Sequence, residues 1–218
     1  MISDRERELE SLPAQFLGPV RGIFFEIVIR NLYNCEVFKF DLEVEKNTQL
    51  LNLFSDAMRD ASEAVRRQPI VRPRPNEVGN DMEPFVIKAL RARGLSAHAP
   101  KTKSGRGKST GYPDIIMQVE IGSIFLEIKT YNKNTVSTAQ RSFYLSPSDD
   151  PKMHTNGYHL ATGFEMEKSG NNYWPVAFKI VDLYGLECGL KSEFNSDNRR
   201  LYEDHRILAQ ERSNEDSN

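Results

Sequence analysis

The sequence predicts a single α/β domain in which a mixed central β-sheet is flanked by helices. Segments 47–68 and 76–93 carry apolar residues at helical spacing, and segments 115–131 and 158–181 each divide into two strand-like halves around a turn. With 218 residues, 39% of them hydrophobic and 28% charged, the chain is long enough to bury a core and too apolar to be disordered. We find no internal repeat and no linker that would divide it into two domains.

The N-terminal part begins with residues 1–20, a polar helix or arm followed by a loop containing two prolines. Segment 23–29 is apolar on both faces, so periodicity alone does not separate a helix from a buried strand. Apolar and charged residues alternate over 37–45, which predicts a strand with one face in water. From Asn47, a candidate N-cap, helical spacing continues to Gln68, where a proline follows.

The middle of the chain starts with a stiff, extended and basic segment, 69–75, which contains three prolines. A second helix is predicted from Asn76 to its end before Gly94. Pro84 lies inside this helix, and because proline is tolerated in a first turn, the helix start can lie closer to Met82.

The remaining chain is predicted to form a Gly/Ser/Lys loop, two hairpins and a disordered tail. These segments are the loop at 101–111, strands at 115–121 and 123–131, strands at 158–167 and 173–181, and the tail at 211–218.

The net charge of −2 argues against a globally basic DNA-coating protein, but the charge is unevenly distributed. Residues 59–108 contain twelve Lys or Arg against five Asp or Glu. Such a segment is typical either of a solvated helix face or of a surface that binds a polyanion. No apolar run approaches the roughly 20 residues of a membrane span, and the polar N-terminus is unlike a signal peptide, so we expect a cytoplasmic protein with no membrane partner.

Three charged side chains mark the first predicted hairpin as a candidate site for chemistry. Asp114 opens one strand, and Glu127 and Lys129 share one face of the next, because residues i and i+2 of a strand point the same way. Hairpin pairing can bring Asp114 alongside. Two carboxylates repel each other, and one lysine offsets only part of that repulsion. We therefore expect a divalent cation with oxygen ligands, Mg²⁺ or Mn²⁺, at this place.

The sequence Pro113-Asp114 followed by Glu127-Ile128-Lys129 resembles the motif of the PD-(D/E)xK nuclease superfamily, which is carried on such a hairpin. The resemblance implies a restriction-endonuclease-like fold. It also implies that Asp114, Glu127 and the Ile128 carbonyl hold the metal and that Lys129 assists the attacking water.

Residues 79–83 and the apolar residues that follow, up to Gly94, resemble the first helix of this superfamily, which adds a carboxylate to the metal site. The resemblance implies that Glu83 is that catalytic and metal-binding carboxylate. Glu77 is the alternative, although an acid near a helix N-terminus also stabilises the helix without any catalytic role.

Segments 143–160 and 190–195 are similar to parts of small type II restriction endonucleases. This resemblance implies Mg²⁺-dependent, sequence-specific hydrolysis of double-stranded DNA that leaves 5′-phosphate ends, with Mn²⁺ able to replace Mg²⁺. It further implies a homodimer acting on a symmetric site and a cognate DNA methyltransferase in the same system. The expected nuclease domain spans 1–210, with an N-terminal part at 1–75, a catalytic core at 76–131 and a C-terminal sheet and DNA-recognition part at 132–210.

The candidate DNA contacts are basic or polar side chains between residues 72 and 199. For some of them a solvated surface position is the simpler interpretation. They are Arg72, Arg74, Lys101, Lys103, Arg106, Lys108, Arg141, His154, Asn156, Asn195 and Arg199.

Two other functions share the motif. A structure-selective nuclease of the Holliday-junction resolvase type fits the same residues, but the roughly 75 residues before the first motif helix and some 85 after Lys129 exceed what such a compact enzyme needs. A catalytically inactive DNA-binding module on the same scaffold is disfavoured because all three core residue types are present.

Overall fold

A computed structural model describes residue 5 and residues 20–108, 110–132, 134, 143–190, 198–201 and 203–206. The chain divides into two compact units, Met1–Gly22 with Gly189–Asn218, and Ile23–Cys188. The described helices are α1 (Phe25–Tyr33), α2 (Glu45–Arg67), α3 (Val78–Ala92) and the short α4 (Asn198–Leu201), with single 3₁₀ turns at Pro75–Glu77 and Asp204–Arg206. Among the helices of the described ranges, none is long and apolar enough to cross a lipid bilayer.

The central sheet lies in the unit Ile23–Cys188 and is mixed, which confirms the predicted α/β class. Within the described residues its strands are β2 (Val37–Phe38), β3 (Ile70–Val71), β4 (Ser96–His98), β5 (Ile115–Val119), β6 (Gly122–Tyr131), β7 (Gly157–Ser169) and β8 (Asn172–Asp182). The order is β3-β8-β7-β6-β5-β4, and β2 also pairs with β7. The β6–β7 and β2–β7 pairs are parallel, and the other described pairs of this sheet are antiparallel.

Two further strands, β1 (Val20–Phe24) and β9 (Glu187–Leu190), form a separate two-stranded sheet. For the segment 23–29, the sequence did not decide between helix and strand. In the structure it contains the last two residues of β1 and the first five of α1. The change from one to the other at Phe25 explains why no single periodicity describes it.

The two faces of the sheet are covered by different apolar clusters. Helices α2 and α3 pack against one face, where Leu126 and Ile128 of β6 are buried with Phe164 of β7. On the opposite face, Phe125 is buried in a second cluster around Phe25 of α1. Because successive β6 residues point to opposite faces, Glu127 and Lys129 lie on the same face as Phe125, just beyond this second cluster.

The predicted strand over 37–45 is mostly wrong, since only Val37–Phe38 is extended and paired. Phe40 is buried, but Leu42 is 60% exposed, so the alternating pattern does not describe one buried face. Instead Asn47 Nδ2 donates to the Asp41 carbonyl at 2.8 Å, and Thr48 Oγ1 donates to the Leu42 carbonyl at 2.8 Å. These bonds close a turn, and the helix begins at Glu45 without a side-chain cap from Asn47.

The second predicted helix is present as α3, and its end before Gly94, which adopts φ +81°, agrees with the prediction. A start near Met82 is wrong, because the helix begins at Val78 after the 3₁₀ turn. Pro84 is consequently the seventh residue of α3. It removes one helical N–H donor, which the packing of buried Met82 and Val86 on the sheet offsets.

Candidate active site

The β5–β6 hairpin places Asp114 beside Glu127. The two strands pair with Ile115 opposite Leu126, so Asp114 lies just before the paired region. The Asp114 N–H donates to the Leu126 carbonyl at 3.1 Å, and Asp114 Oδ2 accepts from the Ile128 N–H at 2.8 Å. The carboxylate is thus held by its own main chain and by a hydrogen bond to β6, which favours a single orientation next to Glu127.

Glu127 and Lys129 are in direct contact on the same face of β6. Lys129 Nζ donates to Glu127 Oε1 at 2.6 Å, and the side chains are 32% and 6% exposed for Lys129 and Glu127. The second oxygen, Glu127 Oε2, is buried and has no hydrogen-bond partner among the described residues. A buried carboxylate oxygen without a donor is costly, so this atom is suited to accept a further ligand.

Glu83 of α3 belongs to the same electrostatic cluster. Burial, followed by the neighbouring charge of Asp114, raises the pKa of Glu83 to about 7. Burial also raises the pKa of Glu127, and the charge of Asp114 is the next largest cause. Burial raises the pKa of Asp114 as well, although the hydrogen bond from the Ile128 N–H lowers it. Three carboxyl groups therefore lie where their negative charges are poorly hydrated and repel one another.

The alternative helical carboxylate, Glu77, has a different environment. Arg72 donates to both oxygens of Asp81, at 2.5 and 2.8 Å, and to Glu77 at 3.4 Å. The Arg72 guanidinium therefore neutralises these two acids. Of Glu77, Asp81 and Glu83, it is Glu83 whose pKa is raised by burial and by the charges of Asp114 and Glu127, which favours Glu83 as the helical carboxylate.

Sequence reasoning missed Lys152. Its side chain is buried, and its Nζ donates to the carbonyls of Gly111 at 2.7 Å and Pro113 at 3.1 Å. Burial lowers the pKa of Lys152, while the charges of Asp114, Glu83 and Glu127 raise it. Lys152 lies in a loop without periodicity, 39 residues from Pro113, so no local pattern could have connected it with the motif.

The residues of the site fit a Mg²⁺ ion. No group of three or more His, Cys, Asp or Glu side chains in the described ranges is arranged around one metal position. Mg²⁺, however, is ordinarily held by one or two carboxylates together with water and substrate phosphate oxygens. Asp114 and Glu127, with the free oxygen Glu127 Oε2, offer such a set, and the main-chain carbonyl of Ile128, the residue that follows Glu127, is a further candidate oxygen.

Four of the candidate DNA contacts lie on one exposed loop, which we call the basic loop: Lys101, Lys103, Arg106 and Lys108. A bridge between Lys101 and Gly107 closes the loop. Ser104 donates through N and Oγ to Asp150, at 2.8 and 2.6 Å, and the Lys103 N–H donates to the Pro151 carbonyl at 2.8 Å. The backbone of the loop is therefore anchored while its basic side chains face solvent.

The other candidate contacts are more scattered. Arg74, His154 and Arg199 are exposed, and Arg72 is engaged by Asp81 and Glu77. The side chain of Asn156 accepts from the Glu36 N–H at 2.9 Å and so has a structural contact. Two candidates, Arg141 and Asn195, lie outside the described residues.

His159 is a buried structural histidine. Its Nδ1 is hydrogen-bonded to the Tyr112 hydroxyl at 2.6 Å, and its ring stacks on Phe125 at 4.6 Å. Burial lowers the pKa of His159 to about 3. The side chain is therefore neutral in the folded protein.

Acidification should destabilise the protein through His159. Because the folded-state pKa lies below the unfolded value of about 6.5, the unfolded chain takes up this proton first, and stability is lost from about pH 6.5 downward. Between pH 7 and pH 5 we expect wild type to lose about 2 kcal/mol more unfolding free energy than His159→Phe. Urea unfolding at both pH values measures this difference, and equal losses in the two proteins would contradict the assignment.

Comparison with known proteins identifies the family of the chain. The family model for the type II restriction enzyme MjaV family matches residues 19–205. A curated relative, the type II restriction enzyme MjaV of Methanocaldococcus jannaschii, is 36% identical over 217 aligned residues, which cover 92% of this chain and 94% of the relative. No solved structure matches significantly. The matched region contains the β5–β6 hairpin, α3 and the basic loop, and the chain thus belongs to the type II restriction enzyme MjaV family.

Proposed function

We propose that this restriction enzyme is a divalent-metal-dependent endonuclease that hydrolyses phosphodiester bonds of double-stranded DNA at a specific sequence and leaves 5′-phosphate ends. The observation that carries the proposal is the β5–β6 register, which places Asp114 next to Glu127, with Asp114 bonded to the Ile128 N–H and Lys129 in contact with Glu127. Family membership supports this activity over the structure-selective and inactive alternatives.

Each residue of the site has a role that follows from its position. Asp114, Glu127 and the Ile128 carbonyl would hold Mg²⁺, for which Mn²⁺ should substitute, and Glu83 would supply a further carboxylate. When bound, the ion lowers the pKa of water and stabilises negative charge developing on the phosphate. Lys129, one-third exposed and paired with Glu127, is placed to orient the attacking water.

The basic loop would bind the DNA backbone. Its four exposed bases provide sequence-independent attraction to phosphates, which positions the duplex but does not read its sequence. Its anchor at Asp150 and Pro151 lies directly before Lys152, which interacts electrostatically with the carboxylates of the site. We retain as further candidate contacts Arg72, Arg74, Arg141, His154, Asn156, Asn195 and Arg199.

We further propose that the enzyme acts as a homodimer, because two identical subunits most simply read a symmetric site. A cognate DNA methyltransferase would then protect the host's own copies of that site. For the chain itself we propose one nuclease domain over 1–210, with a catalytic core at 76–131.

The decisive experiment is digestion of unmethylated plasmid and phage DNA by the purified protein, in Mg²⁺ or in EDTA. We expect discrete fragments in Mg²⁺ and intact DNA in EDTA, and the fragment ends would give both the recognised sequence and the stagger. A smear, or identical lanes with and without Mg²⁺, would contradict the proposal. Cleavage confined to a branched junction would favour the structure-selective alternative.

A further inference from the structure

Lys152 is a buried cation whose positive charge is not neutralised by its hydrogen-bond partners. Its side chain is 5% exposed, and the two acceptors of its Nζ are the neutral carbonyls of Gly111 and Pro113. Burying an ammonium is unfavourable unless opposite charge lies close by. Here the opposite charge comes from Asp114, Glu83 and Glu127, each of which interacts electrostatically with Lys152.

The two carbonyls flank the residues immediately before Asp114. By holding Gly111 and Pro113, Lys152 restrains the main chain that leads into this carboxylate. Asp114 is restrained from the other side by its hydrogen bonds to Leu126 and Ile128. The position of Asp114 thus depends on β6 and on Lys152 together.

We propose that Lys152 is a positioning residue of the nuclease site, which holds the segment before Asp114 and offsets the repulsion among Glu83, Asp114 and Glu127 until a divalent cation binds. This inference rests on the proposed function, because it takes these carboxylates as the cation's site. It has a specific consequence. Lys152 and the cation are both positive and act on the same carboxylates, so the charge of Lys152 weakens the binding of the cation.

Two variants separate the charge of Lys152 from its hydrogen bonds. Lys152→Met removes both, whereas Lys152→Gln removes the charge and keeps an N–H donor. Lys88→Met, a change at an exposed lysine of α3, is the control. The measurements are Mn²⁺ binding by isothermal titration calorimetry, the rise in Tm caused by Mn²⁺, and the DNA cleavage rate.

We expect Lys152→Gln to bind Mn²⁺ about tenfold more tightly than wild type and to show a larger Mn²⁺-induced rise in Tm. Lys152→Met should cut DNA about 100-fold more slowly than wild type, because Gly111 and Pro113 lose their donor and Asp114 is less well positioned, whereas Lys152→Gln, which keeps a donor, should cut faster than Lys152→Met. Lys152→Met should lose more stability without metal, since two carbonyls lose their donor. If it does not fold, Lys152→Gln alone carries the comparison.

A merely structural lysine would give a different result. Variants that are less stable but bind Mn²⁺ as weakly as wild type and Lys88→Met would overturn the proposal. That outcome, with a wild type that binds Mn²⁺ and cuts DNA, leaves the proposed function intact. A wild type that neither binds Mn²⁺ nor cuts DNA would instead overturn the proposed function, and this inference with it.

Discussion

Glu127→Gln should bind DNA in EDTA at least as tightly as wild type and cut it in Mg²⁺ about 10³-fold more slowly. The substitution keeps the shape of the side chain but removes the charge that Lys129 and a cation would share. Binding should be retained because the exposed basic loop, and not this buried carboxylate, would contact the DNA backbone. Asp114→Asn and Lys129→Ala should give the same separation of cutting from binding.

Glu165→Gln is the matched control for this experiment. Glu165 lies opposite Tyr131 in the parallel β6–β7 pair, so it shares the sheet face of Glu127 and Lys129 but lies further along the strands. Its loss of charge should leave cutting near the wild-type rate. Single-turnover cleavage together with a binding assay in EDTA measures both properties. Wild-type cutting by Glu127→Gln would refute the assigned role of this residue.

A variant with all four bases of the basic loop changed to alanine should lose most of its salt-dependent affinity for DNA. Each contact between a basic side chain and a phosphate contributes about 0.9 to the slope of log affinity against log salt. If all four bases make such contacts, the slope should fall by about 3 to 4. The protein should remain folded, because the loop is anchored through Ser104, Asp150 and the Lys103 main chain, which these changes leave in place.

The control for the loop variant removes the same number of positive charges elsewhere. Four exposed bases outside the loop serve this purpose: Lys39, Arg59, Lys88 and Lys168. Its salt slope should stay close to that of wild type, although its net charge equals that of the loop variant. Fluorescence anisotropy with a 30-base-pair duplex at several salt concentrations provides the comparison. Equal losses in both variants would show that overall charge, rather than this loop, determines DNA binding.

Features that depend on local spacing could be predicted from the sequence. The helices α2 and α3 follow from a 3.6-residue pattern, and both hairpins follow from apolar segments around turn residues. The placement of Glu127 and Lys129 on one face follows from the two-residue period of a strand. The strand predicted over 37–45 shows where this reasoning fails, because side-chain hydrogen bonds from Asn47 and Thr48 close a turn there.

The sequence alone determined the family resemblance, most of the regular elements and the charged residues of the hairpin, because all of these depend on residues close together in the chain. Only the tertiary structure decided that Arg72 pairs with Asp81, that burial and the charge of Asp114 raise the pKa of Glu83, and that Lys152 interacts electrostatically with the carboxylates from a separate loop. Burial and Coulomb interactions depend on distances in space, and contacts between residues distant in sequence leave no periodic pattern along the chain.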